Sequence, residues 1–459
     1  MKQPNIVFVF ADQWRGQATG YAGDPNVLTP HIDRLASESL NLRNTISTCP
    51  VCTPYRGSLL TGQYPLTHGL FVNDVPLDPD AVTMGKLFAR AGYDTAYIGK
   101  WHVDGHGRTA YIPPERRQGF QFWRALECTH HYNHSAYYTA DPDGSDSDMP
   151  RFWEGYDAIA QTREAQRYIR THDRNKPFLL VLSWGPPHNP YGTAPGAFRE
   201  LYAAERIQLR PNVPLPLSMF VPHALAGYYA HCTVLDACVG DLLATLDEQG
   251  LAEDTIFVFT ADHGDAVGCQ GHGNKQAPWE ESILVPALLR YPARFGRQPR
   301  VLDAVIGTPD ILPTLLGLTG LPIPRSIEGL DFSGYLDGGP DPSDGAALIA
   351  CYHPIADWWH GLGGREYRGL RTARYTYVRS LDGPWLLFDN QADPYQLDNL
   401  VDRPEHAGLL CELDAWLQRR LDDQGDAFLP GVELCRRWGY SLDRMETVPI
   451  PPSTLPWHP

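Results

Sequence analysis

Apolar residues cluster in three short runs, at 5–10 (NIVFVF), 178–183 (FLLVLS) and 255–260 (TIFVFT). Runs of this length, rich in β-branched and aromatic side chains, predict strands buried on both faces of a parallel sheet. Between them the apolar positions recur at helical spacing. Thr29-Pro30-His31-Ile32-Asp33 opens a helix with Thr29 as N-cap and Pro30 at the first helical position, and the pattern carries it through Leu35 and Leu40. Helices are also expected at 83–91, 164–171, 223–249 and 310–318, with a further strand at 94–98. Strands alternating with helices predict an α/β fold, a mainly parallel sheet sandwiched by helices.

The texture changes near residue 340. Gly338-Gly339-Pro340-Asp341-Pro342-Ser343-Asp344-Gly345 is rich in turn formers and reads as a boundary. The expected division is a catalytic domain over 1–340 and a smaller C-terminal α+β subdomain over 341–459. The latter has short strands at 367–378 and 385–389, a helix at 405–421 and a Pro-rich tail from 448 that drapes over the surface.

Composition narrows the function. The formal net charge is −16, which argues against nucleic acid as a partner, because phosphate binding needs a surplus of Lys and Arg. It leaves room for a small anionic substrate, which needs only local cations. No segment approaches the roughly 20 apolar residues of a membrane span, so no membrane partner is expected. The N-terminal apolar run ends at an acid and reads as a strand, not a signal peptide. As the sequence stands the expectation is cytoplasmic, or periplasmic or secreted if a leader has been removed. The nine cysteines are odd in number and scattered, unlike a disulfide framework.

In an open parallel sheet, ligands bind beyond the carboxyl ends of the strands. Asp12 and Gln13 follow one predicted strand and Asp262 and His263 another. These pairs suit one divalent cation, and an oxygen-rich set favours Ca²⁺ or Mg²⁺ over Zn²⁺. An Asp after a strand is also a common helix cap, so the pairs alone leave both readings open. The stretch CPVCTPYR at 49–56 is ambiguous too. Read as Cys49-x-x-Cys52 it suggests a redox pair or half a zinc site. Read as Cys52-x-Pro54-x-Arg56 it places a thiol at a helix N-terminus, where anions are favoured and a thiol is acidified.

The run Cys52-Thr53-Pro54-Tyr55-Arg56-Gly57-Ser58-Leu59-Leu60-Thr61-Gly62 resembles the signature of the type I sulfatases, formylglycine-dependent members of the alkaline phosphatase superfamily. Gly99-Lys100-Trp101-His102, Pro187-His188-Asn189-Pro190, Asp262-His263-Gly264, Gly271-His272-Gly273-Asn274-Lys275 and Leu387-Phe388-Asp389 through Asp393-Pro394 match further family segments, in family order. The resemblance implies the alkaline-phosphatase-like fold with a small C-terminal sheet. It also implies oxidation of Cys52 to Cα-formylglycine by a maturase, and one divalent metal, Ca²⁺ first and Mg²⁺ or Mn²⁺ as alternatives, held by Asp12, Gln13, Cys52, Asp262 and His263. A hydroxyl of the hydrated aldehyde, deprotonated with help from Asp262, would attack sulfur. Lys275 or His188 would protonate the leaving alcohol. His102 would take the proton from the second hydroxyl as sulfate leaves, while Arg56, Lys100 and Lys275 surround the sulfoxy group with positive charge.

One departure stands out. Many family members carry Asp-Asp where this chain has Asp12-Gln13, a feature shared with phosphonate monoester hydrolases and choline sulfatases; Asn73 resembles them too and would aim an amide at substrate oxygens. Intact Lys100 and His102 rank a sulfate ester, on an aryl group or a carbohydrate, above a phosphonate monoester or phosphodiester. A non-catalytic binding protein and a CxxC redox protein are the remaining alternatives. The His-rich segment 127–134 reads either as a surface loop or as a pocket wall. In the second reading His131 and His134 bind substrate together with Trp358, Trp359, His360 and Arg365.

Overall fold

The computed structural model describes residues 3–140, 145–453 and 455. Its larger sheet is built from β1 (Asn5–Asp12), β2 (Leu40–Ile46), β3 (Asp94–Lys100), β4 (Phe122–Leu126), β5 (Ala136–Ala140), β6 (Asp146–Phe152), β7 (Phe178–Pro187), β8 (Thr255–Ala261), β9 (Ala287–Arg290) and β10 (Arg300–Gly307). The ten strands lie in the order β10-β2-β9-β8-β1-β7-β3-β4-β5-β6. The central run β8-β1-β7-β3-β4 is parallel throughout, whereas β9, β5 and β6 pair antiparallel with their neighbours.

The unbroken apolar runs have the cause expected of them. In β1, Val7, Val9 and Ala11 face one core and Ile6, Phe8 and Phe10 the other. Helices Asp157–Thr171 and Val221–Glu248 cover the first face; Cys52–Thr61, Met84–Arg90 and Ile311–Thr319 cover the second. Alternate residues of a strand point to opposite faces, so a two-sided core needs an apolar residue at every position.

The smaller sheet is a four-stranded antiparallel meander of β11 (Ala346–Cys351), β12 (Tyr367–Thr372), β13 (Tyr375–Ser380) and β14 (Gly383–Asp389). One face shares a core with Ile46, Ile283 and Val305 of the large sheet's surroundings, and the other packs on helix Ala407–Asp423 through Leu413, Leu417 and Leu421. The described part of the tail does drape over the surface: Ser453 reaches Thr109, and Leu455 packs with Leu126, Ala136 and Tyr138.

Two local expectations are corrected. The first helix spans only Pro30–Ala36, and Leu40 opens β2 instead of extending it. Thr29 sits at the N-cap position, but its hydroxyl donates to Asp33 and accepts from Gly20 N–H. The helix is capped from elsewhere: buried Asp236, on helix Val221–Glu248, accepts from His31 N–H at 3.2 Å and from Ile32 N–H at 2.7 Å. A carboxylate contributed by a distant helix does the work assigned to the local threonine. Asp236→Ala should therefore leave two backbone donors without acceptors and lower stability by about 1–2 kcal/mol. Asp236→Asn, which keeps one acceptor, should cost less, as urea denaturation would show.

Candidate active site

Four neighbouring parallel strands, β8, β1, β7 and β3, deliver their C-terminal ends to one place. Asp12 ends β1 and Lys100 ends β3; Asp262 follows β8 and His188 follows β7. Cys52 arrives from the side as the first residue of helix Cys52–Thr61, every residue of which is buried. Asn73 Oδ1 accepts the Thr53 N–H at 3.1 Å and Thr53 Oγ1 donates to His102 O at 2.8 Å, which pins the helix start.

The thiol of Cys52 lies between an acidic half and a basic half. On one side Asp12 Oδ1 is 3.5 Å and His263 Nε2 3.4 Å from Sγ. On the other, Lys275 Nζ is 3.1 Å and Lys100 Nζ 3.7 Å away. Burial and Asp12 oppose ionisation of this thiol, but Lys100, Lys275 and His263 outweigh them and hold it well below the usual thiol range. Cys49 has the opposite fate. It packs in the apolar core, where burial pushes its thiol up to about 12. Both cysteines are free, and they differ in character, Cys49 lying in the apolar core and Cys52 among charged groups.

The ligand atoms of Asp12, Cys52, Asp262 and His263 all lie within 4.8 Å of one another. Two further features fit this group to a cation. The Nδ1 of His263 is 2.9 Å from Gly264 O, which fixes that nitrogen as the donor and leaves a lone pair on Nε2. Gln13 donates through Nε2 to Asp265 Oδ2 at 2.7 Å and to Asn274 Oδ1 at 3.1 Å, while its Oε1 is buried without a partner. A buried carbonyl oxygen left unpaired beside two carboxylates is an unmet cost that a hard cation removes. Tyr191, which donates to Asp265 Oδ2 at 2.6 Å, completes the support behind Gln13. Gln13, His102, Asn274 and Gln276 all adopt positive φ, from 49° to 73°, backbone strain of the kind that collects at working sites.

Arg56 is not where the sulfoxy-group reading placed it. Its Nη2 donates to Asp12 Oδ2 at 3.2 Å and to Asp262 Oδ2 at 3.3 Å, and its Nη1 to Lys100 O at 2.6 Å and Ser183 Oγ at 2.8 Å. With Phe10 against its guanidinium at 4.9 Å and only 1% of its surface exposed, it stands behind the carboxylates as their counter-ion. Lys100 also donates to Asp12 Oδ2, at 2.6 Å.

His188 and Lys275 form a pair. His188 Nδ1 faces Asn189 O at 2.9 Å, so Nε2, 2.9 Å from Lys275 Nζ, accepts from the ammonium. Burial and the Lys275 charge hold His188 well below its usual range. His188 is therefore held as the neutral partner of the pair. His102 lies 3.3 Å from Asp74 Oδ1, which is itself gripped by Arg108 at 2.9 and 2.8 Å. Burial alone would depress His102; charge on Cys128 and the Asp74 hydrogen bond reverse this and raise it to about 9.

The substrate-binding candidates divide. His131 and His134 line a cavity of about 250 Å³ with Arg108, Cys128 and His130. His130, not singled out in the sequence, stacks on His188 with centroids 4.5 Å apart. The C-terminal group does not join them. Trp358 is buried against His272, Trp279 and Trp385, Arg365 lies over the Trp385 ring at 4.6 Å, and His360 is held between Glu366 and Glu446. Trp358 belongs to the core beneath the small sheet, with the partly buried Arg365 stacked at its side and His360 exposed in its ion pairs. Arg108 and Tyr191 lie in no motif, and Asp74 and Asp265, although next to Asn73 and to Asp262-His263-Gly264, were given no role from the sequence; only the fold shows what they touch.

Comparison with known proteins agrees with this geometry. Residues 4–321 match the family model described as Sulfatase, and residues 268–423 match the C-terminal model of N-sulphoglucosamine sulphohydrolase. The chain is 45% identical, over 95% of its length and 85% of the relative's, to an ulvan-active sulfatase of Formosa agariphila. It is 32% identical, over 87% of its length and 88% of the relative's, to an endo-4-O-sulfatase of Bacteroides thetaiotaomicron. The solved structure assigned as the sulfatase YidJ of Bacteroides fragilis superposes with a TM-score of 0.83 at 31% identity, covering 93% of this chain and 97% of that one.

The chain belongs to the sulfatase family, whose members use a divalent metal and a formylglycine. Asp265→Ala frees the Gln13 amide to rotate, so metal affinity measured by calorimetry should fall about 10- to 100-fold, with a smaller fall for Tyr191→Phe. Unchanged affinity in both would remove Gln13 from the ligand set.

Proposed function

We propose that this sulfatase hydrolyses a sulfate ester carried by a saccharide, using formylglycine made from Cys52 and one Ca²⁺ ion. The observation that carries the reading is the position of Cys52, with a carboxylate cluster on one side and two lysines on the other. Asp12, Asp262, Gln13 and His263 would hold the cation, and a set dominated by oxygen favours Ca²⁺, with Mg²⁺ or Mn²⁺ as substitutes. The bound metal supplies positive charge that polarises the sulfate and favours the ionised nucleophile.

The chain's own residues account for the remaining needs. Lys100 and Lys275 offset the negative oxygens of the ester. Lys275, hydrogen-bonded to His188 Nε2, is placed to protonate the departing alcohol. His102, expected from the family pattern as a base, is raised to about 9, against the effect of burial, by charge on Cys128 and the Asp74 hydrogen bond, and so faces position 52 as a proton donor at neutral pH. Arg56 keeps the two ligand carboxylates together and does not touch substrate. Asn73 spends its carbonyl on Thr53 and keeps its amide N–H groups for the ester. The ulvan-active and endo-4-O relatives, together with the cavity beside His130, support a saccharide as the alcohol. The phosphonate monoester alternative rests on Asp12-Gln13 and Asn73.

Two measurements test this. Protein from a host with a formylglycine-generating maturase should show residue 52 as an aldehyde or its hydrate by peptide mass, with Cys49 a thiol. That protein should turn over 4-nitrophenyl sulfate, lose activity on chelation and recover it with Ca²⁺. A large preference for an aryl phosphonate monoester over the sulfate would overturn the choice of ester. Cys52→Ala should abolish turnover, whereas Cys49→Ser should change kcat by less than about threefold, since Cys49 only fills core space.

A further inference from the structure

The cavity beside Cys128 has a composition that the hydrolytic chemistry does not call for. Its floor is apolar, with Leu126, Ala136 and Leu455, and one wall is a ring stack of His134 on Phe152, centroids 4.5 Å apart and planes 19° from parallel. Phe152 is 39% exposed, although a large aromatic is normally hidden. Hydroxyls of Thr109 and Ser453 meet at 3.0 Å on the rim. Among the described residues no Asp or Glu lines the cavity, although the chain carries a net charge of −16. Arg108 is the permanent cation among them. Its Nε and Nη2 are committed to Asp74, which fixes the guanidinium and leaves Nη1 as a rigid donor.

The cavity is joined to the reacting centre at two points. His130 lines it and stacks on His188, which holds Lys275 beside Cys52. Arg108 lines it and, through Asp74, reaches His102. Through these two contacts the cavity abuts the groups that flank Cys52. Its volume, about 250 Å³, suits one sugar ring and not a length of chain. The ring stack, hydroxyl rim and apolar floor are what a pyranose requires, with a face to stack on and edges to hydrogen-bond.

We propose that this cavity is the subsite for the sugar ring released by hydrolysis, and that Arg108 selects rings bearing a second anionic group, a carboxylate or another sulfate. Ser453 and Leu455 supply part of the wall and so take part in substrate selection. The inference rests on the sulfatase reading and adds the location and charge of the alcohol's binding site.

Competitive inhibition of 4-nitrophenyl sulfate hydrolysis tests it without the natural substrate. The probes are glucose, glucuronate and sulfoquinovose, whose C-sulfonate cannot be hydrolysed. Wild-type enzyme should bind glucuronate, sulfoquinovose or both at least tenfold more tightly than glucose, and the better of the two identifies the second anion. In double inhibition with inorganic sulfate, the preferred probe should bind together with sulfate and give intersecting lines; parallel lines would mean that it merely occupies the sulfate position and would overturn the proposal. Equal binding of all three probes would also overturn it. Arg108→Gln should erase the preference for the charged probe, and a preference that survives would remove Arg108 from the role. Deleting residues 452–459 should weaken the preferred probe at least fivefold more than it raises KM for 4-nitrophenyl sulfate; an equal effect on both would exclude the tail from the wall. If either variant fails to fold, the wild-type panel and the double-inhibition lines still decide. Failure of the sulfatase reading looks different: matured wild-type enzyme would not turn over 4-nitrophenyl sulfate at all.

Discussion

Two carboxylates on adjacent parallel strands, both fully buried, should repel each other. Here one guanidinium holds them together. Arg56 reaches up from helix Cys52–Thr61, bridges Asp12 and Asp262, and spends its other nitrogen on Lys100 O and Ser183 Oγ. It thereby ties the ends of β1, β8, β3 and β7 to the helix that presents Cys52. Removing one partner from such a buried set leaves an uncompensated charge, a loss of about 3–5 kcal/mol in comparable cases. Burial and the neighbouring Asp12 nonetheless raise Asp262 to about 6, while Lys100 and the surrounding cations hold Asp12 well below the carboxylate range.

Around this clamp the polar groups form a graded arrangement. Gln13 carries one negative charge fewer than the acid often found in its place, yet its carbonyl oxygen is fixed by Asp265, Asn274 and Tyr191. Asp357, from the segment before β12, bonds Asn274 in turn. The small sheet's neighbourhood is therefore connected to the ligand atoms through three side chains, and the outer carboxylate restores by position part of what Gln13 lacks in charge.

Much of this was readable in the residues. The runs NIVFVF, FLLVLS and TIFVFT named the central strands because a strand covered on both faces has no polar positions to disguise it. The site residues that lie within continuous motifs, from Cys52 to Lys275, were found in the right company. Periodicity failed at Leu40, where an apolar residue that continued the helical pattern in fact begins β2; Ser37 closes the helix first. Arg56 was recognised but misplaced, since a cation near an anion site reads as a substrate ligand until its burial and its partners are known. Trp358 and Arg365 were misjudged for the same reason, as aromatic and cationic types suit a sugar site and a core equally well. Asp236 and Arg108 carry no local pattern, and Asp74 and Asp265, although next to Asn73 and to Asp262-His263-Gly264, take their roles only through contacts with distant segments.

The helix that carries Cys52 is buried along its entire length, and the thiol itself is 1% exposed. No macromolecular catalyst can grip residues 52–56 in the folded protein without dismantling the core formed by Tyr55, Leu59 and Leu60. Under the proposed function, the covalent change at position 52 would therefore have to reach the chain before the sheet closes around it. A copy that folded first would keep the right shape and be inert, and the specific activity of a preparation would record a race between folding and modification.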